Sequence, residues 1–367
     1  MIAVSESPIP SVLPASAAQE ISIKPEVLPE IRIVRRGSPT AASVALARGW
    51  LESEFADEFN IAALQEGDDP DHSRRTEGRY PAALFREDGN VSALWSRALR
   101  QPDTALIGLT WIDERQLLLA KPGADFSGPE SLRGRKLGLS RAEGTTVDVR
   151  RAIGLRGFAA ALDLAGIDPL KAEFVDIPVA ATAENHASAW PAAAAAALRN
   201  GDVDVIYAKG ASAALLQSRE QLEVVVDLSA HPNPQVRINN GTPRPLTVDR
   251  AFLKSNPQAV ARYLAVLQRA ADWSEHHPEE VRAIVAAETR TDEKSVDNAY
   301  GEALYRRLRL RLTPDWISAL QDQADLLKAW GLIAQSVDVE AWIAQEPLIE
   351  AERLIATGAV LSEICGA

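Results

Sequence analysis

From residue 31 onwards, short β-rich runs of sequence alternate with longer helical runs, and this alternation limits the possible folds more than any other feature. Such alternation is typical of α/β folds in which helices connect parallel strands. The chain has 367 residues, which is more than a single hydrophobic core usually supports. The sequence therefore predicts an α/β fold with two lobes and a helical C-terminal segment.

Two separate segments, residues 30–134 and residues 235–356, are predicted to form the first lobe. In the first segment, the apolar runs Ala105–Trp111 and Gln116–Ala120 are interpreted as neighbouring strands at the end of this lobe. In the second segment, residues 242–248 are interpreted as one more strand, and the remaining pattern is helical. The chain is thus expected to leave the first lobe and to return to it.

Residues 135–234, between these segments, are predicted to form the second lobe. A long helix is expected over Val147–Leu164, where small and apolar residues dominate. The predicted strands of this lobe are Lys136–Ser140, Glu173–Ile177, Val203–Tyr207 and Leu222–Asp227.

Prolines mark several of the expected boundaries. Pro39 is predicted to open one helix that continues to Phe55, and Pro191 to open the alanine-rich helix that follows it, because proline is tolerated in the first turn. The segment His231–Pro234 contains two prolines and is interpreted as the linker back to the first lobe.

The two ends of the chain carry few structural signals. Residues 1–29 are rich in Pro, Ser and Ala and are predicted to be disordered, and residues 357–367 to form a tail. Because no basic and apolar signal-peptide regions are recognisable, the chain as written is expected to be cytoplasmic; export to the periplasm would need a longer start. The only cysteine, Cys365, is interpreted as a tail thiol without a catalytic role.

Composition and motifs argue against several classes of partner. With 39 basic and 51 acidic residues, the net charge of −12 disfavours a nucleic-acid partner. The sequence lacks the 18 or so consecutive apolar residues of a membrane-spanning helix. The sequence contains no dinucleotide-binding fingerprint, P-loop or nucleophile elbow. His276 and His277 are not accompanied by further metal ligands at suitable spacing. No cofactor and no metal are therefore predicted.

A first candidate anion site is the turn that starts at Arg86 and continues through Gly89 and Asn90 into an apolar helical run. A helix N-terminus presents backbone N–H groups and the positive end of the helix dipole to an anion. The alternative is that Arg86 forms surface ion pairs with the adjacent Glu87 and Asp88.

A second candidate site lies in the second lobe. Thr145 and Thr146 precede its long helix, where they either bind an anion or only cap the helix. Tyr207 and Lys209 follow a predicted strand and should lie near the mouth of the cleft between the lobes. We expect Lys209 to be a solvated charge unless the opposite lobe brings an acidic group or a ligand to it.

Two further residues, Arg36 and Ser38, follow the first predicted strand. Open α/β sheets place their ligands at the carboxyl ends of the strands, so both residues are candidate ligand contacts. Trp111 and Trp190 are candidates for an aromatic wall, although core packing is the simpler interpretation of Trp111.

Three phrases, in their order and spacing, make the chain resemble the type II periplasmic binding proteins of the nitrate, sulfonate and taurine group. They are Gly201–Val205, Ser131–Gly138 and the helix from Pro257 to Trp273 that is followed by His277-Pro278. The resemblance covers about residues 30–340. It implies a two-lobed fold, a small organic anion as ligand and an ABC permease as partner.

A closer resemblance is to the hydroxybiphenyl sulfinate desulfinases, whose Arg-x-x-Gly segment helps to hold the sulfinate. Arg86, Gly89 and Asn90 match that segment, and His72 is the counterpart of an upstream histidine, with a longer spacing to the arginine than in the family. The alternative for His72 is a surface histidine in a charged loop. The family's nucleophilic cysteine lies in a Cys-Pro-x-Pro phrase, whereas this chain reads Arg36-Gly37-Ser38-Pro39, so cysteine-dependent cleavage of a carbon–sulfur bond is not expected.

Taken together, these features lead to one principal hypothesis: a substrate-binding protein of an ABC-type transporter that closes two lobes around a small sulfonate-like or sulfinate-like anion. Two alternatives remain open. One is a cytoplasmic, desulfinase-like enzyme with an altered active site, and the other is a ligand sensor without catalysis.

Overall fold

The computed structural model describes residues 28–35, 37–65, 83–99, 103–142, 147–179 and 186–360. Within these ranges the chain forms two five-stranded sheets with helices packed against them. This is the two-lobed α/β architecture that the alternating sequence pattern predicts. None of the helices in the described ranges is long and apolar enough to span a membrane.

The first sheet contains both parallel and antiparallel strands, which are β1 (Glu30–Arg35), β2 (Asn60–Gln65), β3 (Leu84–Glu87), β4 (Thr104–Thr110) and β10 (Arg244–Asp249). Their order across the sheet is β2-β1-β3-β10-β4. β1 is parallel to β2 and β3, while β10 lies antiparallel between β3 and β4. The returning chain therefore adds a strand to this sheet, in agreement with the strand predicted over residues 242–248.

The second sheet is also mixed, and its strands are β5 (Gln116–Ala120), β6 (Lys136–Ala142), β7 (Glu173–Val179), β8 (Val205–Lys209) and β9 (Glu223–Asp227). Their order is β7-β6-β8-β5-β9. β6 is parallel to β7 and β8, and β5 is antiparallel to β8 and β9.

The position of β5 corrects one expectation. The runs Ala105–Trp111 and Gln116–Ala120 are not neighbouring strands, because β4 pairs with β10 in the first sheet and β5 with β8 and β9 in the second. An apolar run shows that a strand is buried but not which sheet buries it. The chain thus changes sheet at residues 111–115, the first crossover, and returns through residues 228–243, the second crossover. The lobe boundary at residue 134 stays a prediction.

The single helix predicted from Pro39 to Phe55 is also wrong, because the chain forms two short helices there, α1 (Ala41–Ala47) and α2 (Trp50–Phe55). The hydroxyl of Thr40 accepts a hydrogen bond of 3.0 Å from the backbone N–H of Ser43 and caps α1. Gly49 has a left-handed φ of 70°, which interrupts the helical path before α2 begins.

Four helices connect the strands that bound the space between the sheets. They are α3 (Asn90–Ala98), α4 (Val149–Leu164), α5 (His186–Asn200) and α6 (Gly210–Arg219). Asp148 caps α4 by accepting a hydrogen bond of 2.8 Å from the N–H of Arg151. Pro191 lies inside α5 instead of opening it. A proline at this position removes one backbone hydrogen bond, and its ring crowds the preceding turn.

The C-terminal part is helical, as predicted, and packs largely on the first lobe. Its helices are α7 (Arg250–Ser255), α8 (Pro257–Ser274), α9 (Pro278–Thr289), α10 (Glu293–Tyr300), α11 (Pro314–Ala329) and α12 (Glu346–Ala356). α8 runs through the core, where Tyr263 stacks on Phe85 of β3 with ring centroids 3.9 Å apart. Burial of such rings, at ~25 cal/mol per Å² of apolar surface, fixes β3 and its neighbours in place.

Candidate functional site

A cavity of about 330 Å³ lies between the two sheets. Its lining comes from the end of β6, the first turns of α3 and α4, the ends of β8 and β10, and both crossovers. A cleft at strand ends is where open α/β sheets usually bind their ligands. The charged residues that line it are Asp88, Glu114, Arg150, Lys209 and Arg244.

Three of these charged side chains form one cluster, with Glu114 at its centre. The Nζ atom of Lys209 lies 2.7 Å from Oε2 of Glu114, and Nη2 of Arg244 lies 3.9 Å from Oε1. The three side chains are only 10%, 12% and 4% exposed for Lys209, Glu114 and Arg244, respectively. Burial lowers the pKa of Lys209, and the adjacent Glu114 carboxylate opposes this effect.

The cluster packs tightly around Gly241 of the second crossover. A Cβ atom at this position would lie 3.0 Å from Nη2 of Arg244, 3.3 Å from Oε1 of Glu114 and 3.4 Å from Nζ of Lys209. A glycine thus lets the backbone of the second crossover approach the three charged groups closely.

A second polar region of the cavity is formed by Ser140 and Arg150. Ser140 is the fifth residue of β6 and is only 2% exposed, and its hydroxyl has no hydrogen-bond partner among the described residues. Arg150 lies in the first turn of α4, where burial lowers the pKa of its guanidinium and Asp148 partly offsets this. The Nη1 atom of Arg151 donates to the Ser140 carbonyl at 3.2 Å, which fixes the end of β6.

The N-terminus of α3, a predicted anion site, is occupied by Asn240 of the second crossover. The Asn240 carbonyl accepts from the N–H of Asn90 at 2.7 Å, and its Oδ1 accepts from the N–H of Val91 at 2.9 Å. Gly89 gives Asn240 room, because a Cβ there would lie 2.2 Å from the Asn240 amide nitrogen. The protein's own amide thus takes the place that the sequence suggested for an anion.

The residues predicted on the turn before α3 therefore differ in whether they reach the cavity. Gly89 lines the cavity, but Asn90 is fully buried and its amide donates to the carbonyls of Asn239 at 2.7 Å and Pro243 at 3.0 Å. Arg86 is half-buried on β3, opposite Thr247 of β10, and is not among the cavity-lining residues. The local pattern was sufficient to find the turn but not to orient its side chains.

On the second lobe, the predicted residues Tyr207 and Lys209 both line the cavity. The Tyr207 hydroxyl donates to Oε1 of Gln116 at 2.8 Å and accepts from the Asn239 amide at 2.9 Å, and burial raises its pKa. These bonds connect β8 to β5 and to the second crossover, so the hydroxyl has a structural role. Lys209 is not a solvated charge, because Glu114 of the first crossover pairs with it.

The remaining predicted residues have different outcomes. Ser38 and Trp190 line the cavity. Trp111 packs against Trp316 with ring centroids 5.7 Å apart, in agreement with the core interpretation. The other four predicted residues lie outside the described ranges; they are Arg36, His72, Thr145 and Thr146.

Several cavity residues were not predicted, although some carried a signal in the sequence. Ser140 ends a predicted parallel strand, which is the position at which ligand contacts are expected. Arg244 is a charged residue between two prolines in a predicted strand. Glu114, Arg150 and Asn240 carried no comparable local signal, because their roles depend on contacts between distant segments.

Behind the cavity, Glu87 of β3 is buried close to Arg244. Burial raises the pKa of its carboxyl group to about 7, although Arg244 and a hydrogen bond of 3.1 Å from the Thr110 hydroxyl both oppose the rise. Its Oε2 atom has no hydrogen-bond partner among the described residues. In the described ranges, no group of three His, Cys, Asp or Glu residues is placed to hold a metal ion.

Comparison with known proteins adds information about the fold. No protein-family profile matches the chain, and no curated protein matches it. A serine mutant of the desulfurization enzyme DszB in complex with biphenyl-2-sulfinic acid is similar in structure, with a TM-score of 0.66, 22% identity and coverage of 88% of this chain and 99% of that chain.

Two sulfonate-binding proteins named SsuA are similar as well. The periplasmic aliphatic sulphonate-binding protein from Escherichia coli has a TM-score of 0.61 and 17% identity over 88% of this chain and 92% of that chain. The protein from Methylobacillus flagellatus KT has a TM-score of 0.69 and 14% identity over 90% and 96%. At these identities the likeness establishes the shared two-lobed α/β fold.

Proposed function

We propose that this protein is the substrate-binding protein of an ABC-type transporter and that it binds a small organic anion, of the sulfonate or sulfinate class, between its lobes. The observation that carries the proposal is the set of buried cations, Arg244 and Lys209 with Arg150 nearby, around one cavity between the sheets. Among the described lining residues, three cations face two carboxylates, which is a local positive excess in a chain whose net charge is −12. A buried positive excess favours an anionic ligand.

The polar and apolar parts of the lining suit an anion with an organic body. The Ser140 hydroxyl has no hydrogen-bond partner within the described part of the chain, and guanidinium groups such as that of Arg150 bind acid groups with two or more oxygens. Leu139, Ile153 and Trp190 supply apolar surface in the same cavity. The volume of about 330 Å³ is near the lower end of the usual range for ligand sites, which favours a small ligand.

The transport role is supported by the arrangement of the lobes and by the structural neighbours. The two crossovers connect the sheets beside the cavity, as a hinge between closing lobes requires. The neighbours include periplasmic sulfonate-binding proteins whose fold covers about nine-tenths of this chain. An ABC permease is therefore the proposed partner.

A second candidate function, a desulfinase-like hydrolase, is favoured by the position of Ser38 in the cavity and by the similarity to DszB. A serine hydroxyl needs an adjacent base to become a nucleophile. No histidine or cysteine lines the described part of the cavity, and its lysine, Lys209, pairs with Glu114 at 2.7 Å rather than with Ser38. We therefore prefer the binding function; sulfite release from biphenyl-2-sulfinate would favour the enzyme instead.

A thermal-shift screen of aliphatic and aromatic sulfonates, sulfinates and carboxylates tests the binding proposal, because a ligand of the native state raises its stability. Arg150→Gln is expected to reduce the shift produced by the best anion, since it removes a cavity cation. Arg353→Gln is the matched control, because Arg353 pairs with Glu350 on the exposed surface. If no anion stabilises the wild-type protein, the proposal is wrong.

A further inference from the structure

Glu114 lies where the two lobes and the two crossovers meet. It belongs to the first crossover, while Lys209 ends β8 of the second sheet and Arg244 begins β10 of the first sheet. Its carboxylate is thus the shared counter-ion of one cation from each lobe. All three side chains also line the cavity.

The Glu114 carboxylate lies closer to Lys209 than to Arg244. The 2.7 Å contact with Lys209 is a short charge-assisted hydrogen bond, whereas the 3.9 Å separation from Arg244 is too long for one. The Nε atom of Arg244 has no hydrogen-bond partner among the described residues, although the side chain is only 4% exposed. Leaving a buried guanidinium donor unsatisfied is costly, and an acid group in the cavity would relieve that cost.

On the basis of the anion-binding function proposed above, we propose that Glu114 is an internal counter-anion that competes with the ligand's acid group for Arg244 and Lys209. The ligand oxygens form hydrogen bonds with the Arg244 donors that Glu114 does not reach. The negative charge of the Glu114 carboxylate repels the ligand's acid group at the same time. Glu114 therefore limits the affinity of the cleft for anions and disfavours ligands with more than one negative charge.

The test is isothermal titration calorimetry with benzenesulfonate, ethanesulfonate and inorganic sulfate. Glu114→Gln keeps the shape of the side chain and removes its charge, so we expect these anions to bind about tenfold more tightly, with the largest gain for divalent sulfate. In Glu114→Gln combined with Lys209→Met, one cation is removed as well, and the affinity should return towards the wild-type value. Glu350→Gln, on the exposed surface, should change nothing.

The outcomes separate this proposal from the proposed function. Tighter binding by Glu114→Gln supports the counter-ion role, even if the wild-type protein binds none of the three probes and the transport function fails. Unchanged or weaker binding by a folded Glu114→Gln, beside measurable wild-type binding, overturns the counter-ion role alone. Binding by neither protein overturns both proposals.

A second variant keeps the test decisive if Glu114→Gln does not fold. In Lys209→Met the carboxylate loses its nearer partner and retains Arg244, so the three anions should bind about tenfold more weakly than to the wild-type protein. Equal or tighter binding to a folded Lys209→Met would overturn the counter-ion role.

Discussion

Glu87 offers a quantitative test of the electrostatics behind the cavity. Burial raises the pKa of its carboxyl group from the ordinary value of 4.5 to about 7, so between these pH values the folded protein keeps a proton that the unfolded chain has released. The resulting stabilisation is complete below pH 4.5 and is lost as the pH rises through 7. At ~1.4 kcal/mol for each pH unit, the loss amounts to roughly 3 kcal/mol of unfolding free energy.

Glu87→Gln should remove this dependence on pH, because the amide resembles the protonated carboxyl group and cannot ionise. Urea unfolding at pH 5 and pH 8 measures most of the effect, and the wild-type protein should lose roughly 2.5 kcal/mol more than the variant between these conditions. Glu350→Gln, at an exposed pair, should keep the wild-type profile. Equal pH dependence of the wild-type protein and Glu87→Gln would refute the reasoning.

Two further predictions concern packing around the cavity and are measured by urea unfolding. Asn90→Ala should lower the unfolding free energy by about 1–3 kcal/mol, because the buried Pro243 carbonyl loses the amide donor and the Asn239 carbonyl keeps only the N–H of Thr242; an unchanged midpoint would contradict this. Gly157→Ala should cost about 1–3 kcal/mol, since its Cβ would lie 2.1 Å from the Tyr207 ring. Gly154→Ala is the control in the same helix, where the new Cβ would lie 3.0 Å from Leu139, and an equal loss there would indicate a general helix effect instead.

The fold class follows from local sequence patterns because strand and helix periodicity is a local property. The pairing of β5 does not, because its apolar residues Leu117–Leu119 are fully buried and would suit a central position in either sheet. What decides the sheet is the pairing of β5 with β8 and β9, which come much later in the chain. Helix breaks were similarly underestimated, since one left-handed glycine, Gly49, divides the region between Pro39 and Phe55.

Parts of the candidate site could be predicted because strand ends and helix starts can be recognised from local sequence patterns. Ser38, Gly89 and Lys209 lie near strand ends or helix starts, and the structure places all three on the cavity. Arg86 was predicted from its neighbours in sequence, yet its strand position does not bring it to the cavity lining. The orientation of a side chain on a strand depends on register, which the turn pattern alone did not specify.

The N-terminus of α3 illustrates how a predicted anion-binding turn can be occupied by a side chain of the protein itself. The turn at Gly89 does present backbone N–H groups, but Asn240 already accepts two hydrogen bonds from them. An anion that bound there would first have to displace this amide and lose its bonds. Ser140 and Arg244 also line this cavity, and the Ser140 hydroxyl and the Nε atom of Arg244 have no hydrogen-bond partner among the described residues. If the protein binds an anion as proposed above, the acid group of that ligand is expected between β6 and β10, where Glu114 would compete with it.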